Sequence, residues 1–195
     1  STVAGTKKRL TLELGGKSPN IIFADAAIDQ AVEGIVSSIW ANQGQVCCAG
    51  SRLLVEESVA DEVIEKLRLR MRSLRVGDPL DKNTDVGAIN SRAQLDRIES
   101  FIKLGVAEGA QRHDVSDVAL PSKGFWCKPC FFTEVQPAHT IAREEIFGPV
   151  LAVMTFRTPD EAVARANNTM YGLSAGIWTS RGSKAYEIAD KLKLA

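Results

Sequence analysis

Short apolar runs alternate with amphipathic helical segments along the chain, and this alternation constrains the fold more than any other feature. The runs Asn20–Phe23, Arg52–Glu56 and Val150–Phe156 are each followed by apolar residues at helical spacing. Parallel strands need a long crossover connection, which a helix supplies. The sequence therefore predicts an α/β fold, with a mostly parallel sheet flanked by helices on both faces.

Other segments extend this prediction. Leu10–Leu14 and Leu173–Thr179 are short and rich in apolar residues, and we interpret both as strands. Ser58 and Thr158 each stand where a side-chain oxygen could cap the helix that follows. The polar, non-periodic stretch 112–124 predicts a surface loop.

Composition limits the kind of protein. The 195 residues suit a single domain, and 24 basic residues against 24 acidic ones give no electrostatic reason for binding nucleic acid or an anionic membrane. No apolar run is long enough to span a bilayer, and the first residues lack the apolar core of a signal peptide. We expect a cytoplasmic protein with neither nucleic acid nor membrane as a partner. Because the chain begins with Ser1 rather than Met, we also expect a piece of a longer chain.

Four cysteines are too few for a disulfide framework, and we expect free thiols. Cys127-Lys128-Pro129-Cys130 has the form of a redox dithiol, but such a pair opens a helix, whereas Phe131 continues an extended segment. We interpret Cys127 and Cys130 as half-buried thiols at the start of a strand. Adjacent Cys47 and Cys48 do not fit the usual spacing of zinc ligands, so no metal site is expected.

Two other kinds of site are also disfavoured. Gly15-Gly16-Lys17-Ser18 is similar to the end of a phosphate-binding loop, but Thr11 stands where that motif needs glycine, and Pro19 begins a strand rather than a helix. A cysteine protease needs a histidine beside its thiol. His113 and His139 both lie in turn-like segments and are expected to be exposed.

Four motifs together resemble the NAD(P)-dependent aldehyde dehydrogenase family. They are Thr11–Pro19, Asn42–Arg52, Glu144–Pro149 and Asn167–Leu173, in family order, with Cys47 following Glu13 by 34 positions. The resemblance implies that residues 1–195 are the thiol-bearing catalytic domain, with the cofactor-binding domain largely absent. The segment Cys47–Val55 is similar to the type in which two such units are fused in tandem.

The resemblance also implies roles for single residues. Cys47 matches the nucleophile, since the preceding Gly44 and Gln45 distinguish it from Cys48, and Glu13 matches the general base that activates water. Burial between Leu12 and Leu14 would raise the pKa of Glu13, which suits a base near neutral pH.

The resemblance also implies which residues bind the cofactor. Glu145 matches the carboxylate that binds the nicotinamide ribose, and Phe147 matches the ring that positions the nicotinamide. Leu14 is expected to line the nicotinamide pocket, where Gly15 lets the backbone approach closely. The implied cofactor is NAD or NADP, the implied partner is a small aldehyde, and the full protein is expected to be a homo-oligomer, either a dimer or a tetramer.

The implied reaction oxidises an aldehyde to a carboxylic acid through a thiohemiacetal and a thioester on Cys47, and we expect the isolated chain to be inactive. An acylating enzyme that uses coenzyme A is an alternative, which Glu13 disfavours because such relatives often lack this base. A non-catalytic scaffold or dimerisation module is a second alternative. The presence of Cys47, Glu13 and Glu145 at these spacings disfavours it, because a scaffold needs none of the three. The chain departs from the family at Cys130, where threonine often follows the proline.

Overall fold

Six strands form one sheet in the part of the chain that the structure, a computed structural model, describes: residues 3, 5–115 and 119–194. The strands are β1 (Pro19–Ile22), β2 (Arg52–Glu56), β3 (Gln111–Asp114), β4 (Cys130–Thr133), β5 (Val150–Phe156) and β6 (Gly176–Trp178). The helices are α1 (Ile28–Trp40), α2 (Ala60–Arg72), α3 (Arg92–Ala107), α4 (Thr140–Arg143), α5 (Pro159–Ala166) and α6 (Gly182–Lys191).

The strand order is β3-β4-β5-β2-β1-β6. From β4 to β6 all neighbouring strands are parallel, whereas β3 pairs with β4 in the antiparallel direction. The register places Ile21 beside Leu54, and Leu54 beside Met154. The predicted α/β fold with a mostly parallel sheet is confirmed.

Side chains from the central strands alternate between two hydrophobic layers, as strand geometry requires. Ile21 and Leu54 pack into the layer to which α3, α4, α5 and α6 contribute, while Ile22 and Leu53 pack into the layer of α1 and α2. Helices therefore cover both faces of the sheet, as predicted.

The helix cap predicted at Thr158 is observed, whereas the one predicted at Ser58 is not. At α5, the Thr158 hydroxyl accepts a hydrogen bond from the Glu161 backbone N–H at 3.2 Å, and Pro159 is the first helical residue. At α2, the predicted Ser58 cap is wrong. The chain makes a short 3₁₀ turn at Glu57–Val59 before the helix begins, and this turn places Ser58 too early to reach the free amides.

The predicted strand at Leu10–Leu14 is also wrong. This segment belongs to no strand, and Leu10, Leu12 and Leu14 are 55%, 63% and 66% exposed. Alternation stabilises a strand only when a neighbouring strand and a buried face are available, and the described residues provide neither here.

The predicted loop 112–124 is partly wrong, because Gln111–Asp114 forms the edge strand β3. An edge strand whose side chains are mostly exposed lacks the apolar alternation that would reveal it. Residues 116–118 of the predicted loop lie outside the described residues. The predicted strand Leu173–Thr179 is shorter in the structure, where β6 has three residues. No described helix combines the length and apolar character needed to cross a membrane.

Candidate active site at the amino edge of the sheet

The predicted site residues lie just before strands rather than after them. Gly15 precedes β1, Cys47 precedes β2, and Glu145 and Phe147 precede β5. These three strands are parallel members of one sheet, so their amino ends meet at the same edge. This edge is opposite to the one at which open α/β sheets commonly bind ligands.

The two glycines lie between the candidate carboxylate and the candidate nucleophile. The Gly16 backbone N–H donates to Oε1 of Glu145 at 3.0 Å, and a Cβ atom at Gly15 would overlap Oε2 of the same carboxylate. A Cβ atom at Gly16 would overlap the carbonyl oxygen of Cys47. Both positions require glycine because other groups occupy the space of a side chain.

The loop that carries Cys47 begins with an abrupt end to α1. Asn42, Gln43 and Gly44 have φ angles of 49°, 60° and 70°, in the left-handed region that side chains disfavour. At Gly44 a Cβ atom would overlap the carbonyl oxygen of Gly148. The loop is therefore packed directly against the segment that carries Glu145 and Phe147.

Two glutamine side chains fasten this loop to the segment before α3. Oε1 of Gln43 accepts from the Gly87 N–H at 3.0 Å, and Oε1 of Gln45 accepts from the Asn90 N–H at 3.2 Å. The Cys47 thiol is free and exposed. A free thiol is thus presented at the surface by a backbone that is held in place.

Helix α3 holds the segment of Glu145 and Phe147. Nε2 of Gln94 donates to the carbonyl oxygens of Ile146 and Phe147 at 3.0 and 2.9 Å, and the Arg97 guanidinium donates to that of Glu145 at 3.1 Å. Phe147 has a φ of 57°, which is uncommon for an aromatic residue and persists only where surroundings enforce it.

The fourth motif, Asn167–Leu173, and Ser174, which follows it, also reach this edge. The Ser174 hydroxyl donates to Oγ of Ser18 at 2.9 Å and lies 3.3 Å from the carbonyl oxygen of Cys48. A Cβ atom at Gly16 would lie 3.4 Å from Leu173. All four motifs noted in the sequence therefore converge on one place.

Glu13 and Leu14 are the exceptions. They directly precede Gly15, yet both side chains are exposed, Leu14 by 66%. The expected burial of Glu13 between leucines is wrong, because nothing in the described part of the chain covers this segment. The two residues stand at the surface next to the cluster rather than inside it.

Two buried cations in the site were missed by sequence reasoning. Lys17 is 1% exposed, and its burial beside Arg52 lowers its pKa to about 7. Arg52, also 1% exposed, donates to the carbonyl oxygens of Lys17, Arg165 and Ala166 at 2.8, 3.0 and 2.7 Å. The latter two carbonyls end α5, where a positive charge is favoured. The one available signal was position, since Arg52 begins the apolar strand β2 and Lys17 lies just before the buried strand β1.

The other two described thiols are buried, and both histidines make contacts within the fold. Cys127 and Cys130 are free and fully buried rather than half-buried; burial raises the pKa of Cys127 to about 12 and raises that of Cys130 as well. His113 lies on β3, 2.8 Å from the Thr133 hydroxyl and stacked on Phe131. Nδ1 of His139 accepts from the Gln136 N–H at 3.3 Å. The prediction that both histidines are exposed is wrong, because His113 and His139 are part-buried and His113 lies on a strand rather than in a turn.

The whole chain is similar to known proteins of one family. The model of the aldehyde dehydrogenase family matches residues 1–195. The chain is 44% identical to the putative aldehyde dehydrogenase DhaS of Bacillus subtilis, over 99% of this chain and 39% of that protein. It is also 44% identical to the mitochondrial aldehyde dehydrogenase of Homo sapiens, over 95% of this chain and 36% of that protein.

Solved structures agree in fold. The NAD-dependent aldehyde dehydrogenase from Sinorhizobium meliloti superimposes with a TM-score of 0.91 and 42% identity, over 98% of this chain and 38% of that one. Betaine aldehyde dehydrogenase from Staphylococcus aureus, solved in complex with NAD+, has a TM-score of 0.89 and 36% identity, over 94% of this chain and 37% of that one. The chain thus spans less than half the length of these relatives.

Proposed function

Because the chain belongs to the aldehyde dehydrogenase family, we propose that the protein oxidises an aldehyde to a carboxylic acid, with NAD or NADP as oxidant and Cys47 as nucleophile. The observation that carries this proposal is the free, exposed thiol of Cys47 on a fastened loop, next to the glycines that contact the Glu145 carboxylate. Cys127 and Cys130 are poor alternatives, since burial keeps their thiols protonated.

The residues at the amino edge fit a nicotinamide cofactor. A carboxylate has four lone-pair positions, and the Gly16 N–H uses one of those on Glu145, so capacity is left for the hydroxyl groups of a ribose. The Phe147 ring would lie against the nicotinamide, with Leu14 and Gly15 along the pocket. When bound, the nicotinamide ring accepts the hydride that the substrate loses.

The chemistry of the chain's own residues centres on Cys47. Its thiolate adds to the carbonyl carbon of the aldehyde, giving a thiohemiacetal whose oxygen can accept a hydrogen bond from the Cys47 backbone N–H. Loss of hydride from the same carbon leaves a thioester. Glu13 then takes a proton from water, the resulting hydroxide attacks the thioester, and the carboxylic acid departs as the thiolate is restored.

Replacement of the nucleophile tests this proposal. In the full-length protein, Cys47→Ala is expected to lower NAD(P) reduction by at least about a thousandfold, because no thioester can form. Cys48→Ala is the matched control, since Cys48 is adjacent and exposed as well. Its rate should stay close to that of the wild type, measured as NAD(P)H absorbance. If Cys47→Ala keeps its activity, or if Cys48→Ala is the inactive variant, the assignment of the nucleophile is wrong.

Glu13 is tested by separating the two half-reactions. Glu13→Gln is expected to release a first equivalent of NAD(P)H at the normal rate. Its steady-state turnover should then be slower than that of the wild type by at least about a hundredfold, because hydrolysis of the thioester lacks a general base. Rapid mixing followed by steady-state recording distinguishes these phases. Glu99→Gln on α3, also exposed, should behave as the wild type. Full steady turnover by Glu13→Gln would exclude Glu13 as the base.

A further inference from the structure

The loop that joins α1 to β2, residues 41–51, is held both by backbone packing and by side chains. We call it the nucleophile loop, because it carries Cys47. Its backbone packs against Gly148, whose carbonyl oxygen a Cβ atom at Gly44 would overlap, and against Gly16, where a Cβ atom would overlap the carbonyl oxygen of Cys47. Its side chains bond to the segment before α3. The position of Cys47 therefore depends on contacts that lie outside the loop.

Gln43, in this loop, occupies a backbone conformation that favours glycine. Its φ angle is 60° and its ψ angle is 23°, in the left-handed region where a side chain is crowded by the backbone. Glycine adopts this conformation without that cost, and asparagine, as at Asn42, tolerates it better than most residues. Glutamine has neither advantage. A strained residue of this kind persists only where its surroundings enforce the strain, so the contacts of the Gln43 side chain must be examined.

The Gln43 side chain contacts Gly87, which lies 44 positions further along the chain. Oε1 of Gln43 accepts a hydrogen bond from the Gly87 N–H at 3.0 Å, in a part-buried setting. A Cβ atom at Gly87 would stand 3.1 Å from Oε1 and 3.4 Å from Cδ of Gln43, so the amide lies close against the glycine. The strained residue is thus the one that ties the nucleophile loop to a distant segment.

The segment that begins at Gly87 also reaches the other half of the candidate site. It leads into α3, where Nε2 of Gln94 donates to the carbonyl oxygens of Ile146 and Phe147. One continuous stretch, residues 87–97, is therefore bonded to the nucleophile loop at one end and to the segment of Phe147 at the other. Through Gln43, this stretch sets where the loop lies relative to the residues that we assign to the nicotinamide.

We propose that Gln43 is a positioning residue, which holds the nucleophile loop against Gly87 so that the Cys47 thiol meets the aldehyde at the reacting distance. This inference rests on the proposed role of Cys47. It adds that a left-handed glutamine, retained at a cost in backbone energy, serves the geometry of the reaction rather than the stability of the fold. Gln43 acts through the loop and does not touch the reacting atoms.

The test compares activity with stability in the full-length protein. Gln43→Gly removes the bond to Gly87 and relieves the left-handed backbone. The rate of the first NAD(P)H burst, recorded by rapid mixing with the straight-chain aldehyde that gives the wild type its largest burst, is expected to fall by at least about tenfold, because the thiol is no longer held in place. The midpoint of urea denaturation should stay close to the wild-type value, since the relieved strain opposes the lost bond. A lower midpoint with an unchanged burst would assign Gln43 to stability alone.

Two further variants separate the hydrogen bond from the bulk of the side chain. Gln43→Glu keeps an acceptor oxygen and should retain a burst rate within about threefold of the wild type. Gln43→Met keeps the length of the side chain but has no strong acceptor, and its burst should fall as in Gln43→Gly. Equal loss in Gln43→Glu and Gln43→Met would show that the bond to Gly87 is not what positions the loop.

Glu134→Gly is the matched control. Glu134 also has a left-handed φ angle, 57°, but it follows β4 at the carboxyl edge of the sheet, opposite to the candidate site. This variant relieves the same kind of strain and should leave the burst rate unchanged. A slower burst in Glu134→Gly would show that relief of strain anywhere in the fold impairs the reaction, which contradicts a specific role for Gln43.

Two measurements establish that the rest of the site is intact in Gln43→Gly. The Kd for NAD, from isothermal titration calorimetry without aldehyde, should match that of the wild type. Alkylation of Cys47 by iodoacetamide should also proceed at the wild-type rate, because a small reagent reaches an exposed thiol without the orientation that hydride loss requires. A parallel loss of NAD binding or of alkylation would indicate a general disturbance of the site and would contradict the positioning role.

The outcomes distinguish this inference from the proposed function. If Cys47→Ala keeps its activity, the proposed nucleophile is wrong, and this inference fails with it. If Cys47→Ala is inactive while Gln43→Gly and Gln43→Met keep the wild-type burst, Gln43 is not a positioning residue, and the role of Cys47 stands.

Discussion

Lys17 and Arg52 are two buried cations at the amino edge of the sheet, and they differ in their hydrogen-bond partners. The Arg52 guanidinium donates hydrogen bonds to three backbone carbonyl oxygens, which joins the end of α5 to the segment before β1. Nζ of Lys17 has no such partner within the described residues. Arg52 therefore links elements, whereas the ammonium group of Lys17, buried and unpartnered in the described part of the chain, lowers stability.

Substitution of Lys17 should change how stability depends on pH. Its pKa is about 7 in the native chain against 10.5 ordinarily, so between these values the unfolded chain binds more protons and the free energy of unfolding rises with pH. From pH 7 to 9 the rise from this residue is about 2 kcal/mol. Lys17→Met should lack this rise and should exceed the wild type in stability at pH 7, as measured by urea denaturation.

The difference between the wild type and Lys17→Met isolates this residue, because every other titrating group is common to the two chains. Desolvation lowers the pKa of His113 below its usual 6.5, so its contribution to the pH dependence fades at about pH 7. The raised pKa values of Cys127 and Cys130 lower the stability of both chains from about pH 8 upward, where the unfolded thiols lose protons first. Equal pH dependence of the wild type and Lys17→Met between pH 7 and 9 would show that Lys17 is not charged differently in the two states.

At the scale of elements, α5 and α2 begin in different ways although their sequences look alike. Thr158 has extended backbone angles and caps α5 with its side chain. Before α2 the chain first makes a 3₁₀ turn, and no side chain caps the helix. The backbone path out of β2, rather than the residue type at Ser58, decides this difference.

Paired alanine substitutions test the contrast. Thr158→Ala should lower the free energy of unfolding by about 1 kcal/mol, because the Glu161 N–H loses its acceptor. Ser58→Ala should change it by less than about 0.5 kcal/mol, since the Ser58 side chain is exposed and caps nothing. Urea denaturation of the two variants in parallel measures both values, and equal losses would contradict the assignment of the caps.

At the scale of the whole molecule, the candidate site lies at the amino edge of the sheet, and a separate group of polar contacts lies at the carboxyl edge. At the carboxyl end of β1, the Asp25 carboxylate accepts from Thr179 and Lys184, which joins it to the end of β6 and to α6. The amino edge instead gathers four motifs around an exposed thiol. Leu10, Leu12 and Leu14, which precede Gly15 in the chain, are exposed.

Activity is expected to belong to the full-length protein. The chain covers 36% to 39% of the relatives described above, and we propose that it supplies only a carboxylate, an aromatic ring and a nucleophile to the active site. The 195-residue polypeptide alone should therefore show no NAD(P)H formation with aldehydes, while iodoacetamide still labels Cys47. Steady reduction of NAD(P) by this polypeptide would contradict the expectation.

The sequence by itself predicted a mostly parallel sheet with helices on both faces, and it predicted where the central strands lie along the chain. The apolar runs at Arg52–Glu56 and Val150–Phe156 predict the bounds of β2 and β5 as they are observed, because a parallel strand that is buried on both faces is a short continuous apolar run. The tertiary structure decided the rest. The bond between Gly16 and Glu145 joins residues 129 positions apart, and the burial of Lys17, the exposure of Leu10–Leu14 and the edge position of β3 depend on which strands become neighbours. No local pattern encodes those facts, because burial and pairing are properties of contacts between distant segments.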